Sequence, residues 1–162
     1  MLDRVLKSWC TLHRPDIFGC PWMAGLLSFL TWLHFRDVGL FLIPPFAATL
    51  TILVYLPNVP IAQPIAVVFG SVFGAAIGTV LSVVLGFGPG TALLAALAAM
   101  IILPLLRVFH PPAVALAMCP ALLHSGPWFA FPVVLPFTLV AVISRAVLSR
   151  LVSNWSQYPA PF

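Results

Sequence analysis

Carboxylates are almost missing from this chain. Asp3, Asp16 and Asp37 are its only acids, glutamate does not occur, and charged residues of either sign make up 6% of the 162 positions. Soluble globular domains carry about 25% charged residues, because a surface facing water has to be covered with polar groups. Seven cations and three acids cannot cover a 17.5 kDa globule. They can cover the ends of a helix bundle whose flanks face lipid. All three acids lie in the N-terminal tail or at a span border, so no carboxylate is embedded in an apolar run. That argues against sodium or proton coupling through a buried acid, and equally against a carboxylate-based hydrolase or glycosidase.

Other chemistry is thin as well. Cys10, Cys20 and Cys119 form no CxxC pair and no metal-type spacing, so they read as small buried or interfacial apolar residues. His110, Cys119 and His124 would need a fourth ligand to hold zinc, and no metal or cofactor is expected. No Gly-x-Ser-x-Gly and no Cys–His–acid set is present, so the chain is not expected to be an enzyme, and no catalytic residue is assigned. The cations Arg4, Lys7, Arg14, Arg36, Arg107, Arg145 and Arg150 sit at chain ends and span borders rather than in one stripe. This placement suits topology signals and headgroup anchors and speaks against nucleic acid as a partner.

What the chain has in abundance is apolar sequence: 62% of positions, with a mean hydropathy of +1.16. Six apolar stretches run over residues 17–34, 38–56, 64–86, 90–106, 108–124 and 127–148. A bilayer core of about 30 Å needs about 20 helical residues, so the third and sixth are comfortable spans and the others lie near the minimum. The stretches are continuously apolar, without the alternation of a membrane barrel strand. The fold class expected is all-α, a polytopic transmembrane bundle of about six spans. Residues 1–16 form an N-terminal tail or interfacial helix, 17–150 a single transmembrane domain and 151–162 a C-terminal tail. Leu2, Val5, Leu6 and Trp9 share one face at helical spacing, and no small-residue cleavage site follows them, so a cleavable signal is not expected.

Charge gives a topology. With six spans and the N-terminus inside, the inner side holds six cations and the outer side only Arg36; four spans, with the first segment not crossing and Val108–His124 re-entrant, score equally with Arg107 the lone outer charge, and five score poorly. Both termini are therefore placed on the inner side. An internal repeat favours six. Phe41-Leu42-Ile43-Pro44-Pro45-Phe46-Ala47-Ala48 aligns with Val108-Phe109-His110-Pro111-Pro112-Ala113-Val114-Ala115, and Ala62-Gln63-Pro64 aligns with Ala130-Phe131-Pro132. Two copies of a three-span unit must have opposite orientation, a 3+3 inverted repeat with helices broken at Pro-Pro. Gly70, Gly74, Gly78, Ser82 and Gly86 recur every four residues, which allows close helix approach within a chain or between chains. A chain of this size encloses little of a pathway alone, so a homo-oligomer is expected.

The polar cluster is Arg107, His110, Pro111 and Pro112. A proline pair ends one helix and starts another, and a helix start offers N–H groups and partial positive charge to an anion. Arg107 adds a fixed cation and His110 a titratable ring. The blander alternative is an arginine that snorkels to headgroups and a histidine that satisfies a kinked backbone. Gln63 beside Pro64 is a secondary candidate, against a simple solvated cap. Thr49 and Thr51 are expected to bond back to their own helix.

Phe109-His110-Pro111-Pro112-Ala113, taken with Pro45-Phe46-Ala47-Ala48-Thr49 and Ile61-Ala62-Gln63-Pro64, resembles the HPP family of small integral membrane proteins. The resemblance covers roughly residues 20–150. It implies a multi-spanning protein, and some members are implicated in nitrite transport. Three positions depart from the family pattern. Ile65-Ala66 stand where Arg-Asn often follows Ala-Gln-Pro, Gly70-Ser71 where Gly-His is common, and Val114-Ala115-Leu116 where Gly-Ala-Thr tends to follow. The expectation is a permease for a small inorganic anion, nitrite first, in a bacterial or organelle inner membrane, with lipid as its surroundings. Its substrate contacts would be His110, Pro111, Pro112 and Arg107, with Gln63 and Pro64 secondary. The rival is a non-transporting membrane scaffold or accessory subunit.

Overall fold

The structure is a computed structural model that describes residues 16–35 and 43–160. The suggested interfacial helix before Asp16, and Arg36 and Asp37, lie outside the described residues. Among those described the fold is all-helical. Helix α1 is Gly19–Phe35, α2 Pro44–Tyr55, α3 Pro64–Leu85, α4 Pro89–Leu105, α5 Pro111–Leu123 and α6 Leu135–Leu151. A 3-10 turn, Pro60–Ala62, leads into α3, and a π turn, Ala130–Val134, leads into α6.

Proline sets nearly every helix start. Pro44, Pro64, Pro89 and Pro111 each stand at the first helical position, and Pro136 at the second of α6. The ring fixes φ near its helical value, and its missing N–H is one a helix start would leave unpaired anyway. None of these five helices has a side-chain cap. Only α1 begins on a carboxylate: Asp16 Oδ1 accepts from the Phe18 and Gly19 amides at 2.9 and 2.5 Å. Helix exits use left-handed backbone, Gly86 at φ 84° after α3 and His124 at φ 52° after α5. The π turn has its own cause. Pro132 and Pro136 lack amides one helical turn apart, which loosens the i→i−4 ladder, and Val134 N–H reaches the Phe129 carbonyl at 3.4 Å instead.

Helix α3 is the centre of the bundle, packed on α4, α5 and α6. Its glycines decide how closely. A Cβ on Gly70, Gly74 or Gly78 would run into the backbone carbonyl of Val108, Ala113 or Ala117 respectively. Four residues along α3 correspond to four along α5, so the two helices run in the same direction with their backbones touching. The far end is closed by Gly88 N–H donating to the Ala121 carbonyl at 3.0 Å. The four-residue stripe thus works inside one chain at these three positions, while Gly86 serves as the terminator of α3. Around this seam lies an alanine-rich cluster of Ala95, Ala99, Leu103, Ala113 and Ala117. A second, aromatic cluster joins α1, α2 and α6, with Phe46 stacked on Phe137 at 3.8 Å between centroids.

Lengths recur along the chain. Helices α1, α2 and α3 have 17, 12 and 22 residues; α4 and α5 have 17 and 13, and the continuous helix Ala130–Leu151 has 22. The two 22-residue helices are long and apolar enough to cross a membrane. At 1.5 Å per residue α2 and α5 extend only about 18 and 20 Å, short of a bilayer core. Large apolar side chains such as Val83, Val84, Leu93, Ile101, Leu105 and Ile143 stand exposed on the flanks. A lipid solvent accepts such a surface and water does not.

The α3–α5 contact makes a sharp prediction. Gly78→Ala is expected to cost about 2–3 kcal/mol by forcing backbones apart, seen as a lower unfolding midpoint in detergent. Gly25→Ala, where a Cβ meets nothing within 4 Å, should leave the midpoint unchanged or slightly raised.

Candidate functional site

Most of the polar side chains that bond from one element to another gather toward the end where α3 begins, here called the Gln63 end. Helix α2 arrives there, α5 departs from beside it, and the segment after α6 folds across it. Helix α5 starts deep: its N-cap His110 lies beside Gly70, six residues or about 9 Å along α3. There the His110 side chain is fully buried.

Both ring nitrogens of His110 are engaged. Nδ1 lies 2.8 Å from the Ile61 carbonyl, and Nε2 lies 3.0 Å from Thr49 Oγ1. A carbonyl only accepts, so Nδ1 carries the hydrogen. In the neutral ring Nε2 is then an acceptor and the Thr49 hydroxyl donates to it. Thr49 Oγ1 is also 3.1 Å from the Pro45 carbonyl. A second proton on the ring would reverse the bond: Nε2–H would donate to Thr49, whose own hydrogen would turn to Pro45. Thr49 does face its own helix, as expected, but it also bridges to α5, a contact that 61 positions of sequence separation hide.

Gln63 is buried rather than solvated. Its Nε2 donates to the Pro57 and Val59 carbonyls at 2.9 and 3.1 Å, and its Oε1 accepts from the Ala160 amide at 3.1 Å. One side chain therefore ties the α2–α3 link to the C-terminal segment. Tyr158 fastens the same place, donating its hydroxyl to the Ala62 carbonyl at 2.8 Å. Burial pushes this phenol above its ordinary range, which keeps the donor protonated. Pro64 stands next to Gln63 as the first residue of α3, partly buried.

Arg107 does not join His110. It is exposed at the α4–α5 corner, in left-handed backbone at φ 58°. Pro111 is half-buried and Pro112 buried. Both lack amides, and the next one, Ala113 N–H, bonds the His110 carbonyl at 2.8 Å. Helix α2 is built alike, with Pro44, Pro45 and a Phe46 N–H to Ile43 carbonyl bond of 3.0 Å. Of the four amides a helix start normally offers, two are absent and a third is taken. The structure thus puts His110 against Ile61, two residues from Gln63, and leaves Arg107 exposed on the flank.

Arg145 departs most from its sequence reading. Taken from its position as a topology signal or headgroup anchor, it is instead fully buried, six residues before the end of α6. Its Nε donates to the Leu53 carbonyl at 3.2 Å, an acceptor the end of α2 leaves open, and one terminal nitrogen donates to Ser156 Oγ at 2.6 Å. The Trp155 ring lies over the guanidinium at 3.9 Å. Cys20 and Cys119 are free thiols, half-buried and buried. Among the described residues no group of three His, Cys, Asp or Glu could hold a metal ion.

The His110 cluster predicts two measurements. Thr49→Val, which keeps shape and removes the hydroxyl, should cost about 1–3 kcal/mol by leaving Nε2 unpaired, whereas Thr49→Ser should stay near wild type in detergent unfolding. Imidazole nitrogen NMR should find the neutral ring protonated on Nδ1; a ring protonated on Nε2 alone would contradict this geometry.

Comparison with protein-family models gives a match to the HPP transmembrane region over residues 16–159. No curated protein and no solved structure matches the chain. The matched stretch holds all six helices, the His110 junction and the turn carrying Gln63, and it extends into the segment that covers Arg145. The chain is a membrane protein and belongs to the HPP family.

Proposed function

We propose that this chain is a small membrane permease for a small inorganic anion, with nitrite the first candidate. The observation that carries the reading is the pair of half-length helices. Both α2 and α5 open on Pro-Pro, neither is long enough to cross a bilayer, and they meet through the Thr49–His110 hydrogen bond. Irregular backbone at membrane depth is tolerated where protein buries it or where it lines a path, and broken helices are a recurring device of transporters.

The six helices are read as a 3+3 inverted repeat. The order of lengths recurs, and the Pro-Pro pairs and the openings of α3 and of the Ala130–Leu151 helix hold equivalent places in each half. Contacts follow the same plan. Helix α2 runs alongside α6 in one direction, Phe46 with Phe137 and Leu53 with Arg145, as α5 runs alongside α3. In this reading the His110 junction is the closed point of the path. His110 and Gln63 are the polar groups an anion meets when it opens, Pro112 and Pro111 hold the break, Pro64 fixes the start of α3, and exposed Arg107 draws anions toward the corner. Passage is facilitated rather than coupled to a carboxylate. The exposed cations Arg107 and Arg150 lie toward the Gln63 end, which supports placing that end and both termini on the inner side of a bacterial or organelle inner membrane. A homo-oligomer completes the proposal. The scaffold alternative has less support, because three glycines that could dock a partner are already occupied by α5.

Uptake by sealed vesicles containing the purified full chain is the direct test. Nitrite should enter faster than into empty vesicles, His110→Ala should cut the rate about tenfold or more through loss of a hydrogen bond to a charged solute, and Arg107→Gln should slow it less. Absence of nitrite, nitrate or related anion flux, or full flux in His110→Ala, would remove the proposal.

A further inference from the structure

A buried cation normally has a carboxylate partner or a complete set of hydrogen-bond acceptors. Arg145 has neither among the described residues. Its acceptors are neutral, the Leu53 carbonyl and the Ser156 hydroxyl, and its remaining terminal nitrogen, Nη1, is buried with no hydrogen-bond partner at all. The one described acid nearby, Asp16, lies close enough to act on Arg145 through its charge but makes no ion pair with it; its Oδ1 accepts from the Phe18 and Gly19 amides and its Oδ2 from the Trp155 indole N–H at 3.2 Å.

What covers Arg145 is a strap rather than a packed helix. Residues 152–160 leave α6 and lie back across the Gln63 end. Trp155 sits on the guanidinium, and the Tyr158 carbonyl and amide share the Ser149 hydroxyl at 3.1 and 3.2 Å. Tyr158 and Ala160 are tied to Ala62 and Gln63. The strap is pinned by its Trp155 and Tyr158 rings, both buried in the aromatic core cluster, and by single hydrogen bonds, while Ser153, Asn154, Ser156 and Gln157 stand exposed. The Ser156 hydroxyl that caps Arg145 thus belongs to an exposed residue.

We propose that Arg145 is an oxyanion-binding residue, covered by the 152–160 strap and exposed when the strap lifts. A planar guanidinium offers paired N–H donors that match two oxygens of an oxyanion, a better partner than a lone serine hydroxyl. The ligand takes the bond now made to Ser156 and satisfies Nη1 as well. The oxyanion is either a free inorganic ion or the phosphate of a lipid headgroup, which share this chemistry. The site lies apart from the His110 junction and does not depend on the permease reading.

The test is a thermal-shift titration of the full chain, delipidated in maltoside detergent. One arm adds nitrate or inorganic phosphate, and a second adds phosphatidylglycerol against diacylglycerol as a phosphate-free control. Wild type should be stabilised in a saturable way in one arm, and that arm identifies the source. Arg145→Gln should weaken binding by at least about tenfold. Ser156→Ala and Tyr158→Phe, which loosen the strap and leave Arg145 in place, should tighten it several-fold; these two decide the matter if Arg145→Gln fails to fold. No saturable shift in either arm, an equal shift in Arg145→Gln, or unchanged affinity in both strap variants would overturn the site. Anion flux into vesicles without any such shift would remove this site and leave the permease. An Arg145-dependent shift without flux would do the opposite.

Discussion

The contact between the backbones of α3 and α5 is the constraint on which the remaining geometry rests. Three glycines one helical turn apart let α5 approach until its carbonyls meet the α3 backbone. That closeness fixes the depth at which α5 begins, and so brings His110 within reach of both the Ile61 carbonyl and Thr49. In lipid the apolar side chains supply no preference for one helix partner over another, so van der Waals fit and the few polar groups have to choose the arrangement. The glycine seam supplies the fit. His110 and Gln63 then lock the link between α2 and α3 to it.

Where polar side chains sit in this protein follows from the same economy. Hydroxyls in the helices bond mostly to carbonyls of the preceding turn, as Thr79 does to Ala75 and Ser82 to Gly78. The exceptions carry the long-range bonds: Thr49 to His110, Trp22 to Ser144 at 3.0 Å, and Arg145 to Leu53. Each joins elements far apart in sequence, and each lies toward the Gln63 end or on the α1–α2–α6 side. The α4 side is held by alanine packing.

The helices themselves were legible in the sequence. Apolar runs bounded by proline and glycine placed four of them within about three residues, because proline at a helix start and glycine at its end act locally; the second run was expected from Val38 but α2 begins at Pro44, and the sixth from Pro127 but α6 begins at Leu135 after the π turn. The site was legible only in part. His110 and the proline pair announce themselves as polar and rigid features inside an apolar run, but which acceptors the ring meets depends on how far α5 slides along α3. Arg145 was misplaced for a related reason: a cation six residues from a span end reads as an anchor unless one knows that chain returns to cover it. Gln63 likewise reads as a cap until Pro57, Val59 and Ala160 are brought around it. Tertiary closure, not local pattern, decides all three.

Five of the six described helices carry a proline at the first or second position and none of those five has a side-chain cap, which has a consequence for how the chain responds to its surroundings. A cap made of aspartate weakens when acid protonates the carboxylate or salt screens it. A pyrrolidine ring answers to neither. The starts of α2 through α6 therefore hold no ionisable cap, so acidification or changing ionic strength does not act on this protein by fraying them.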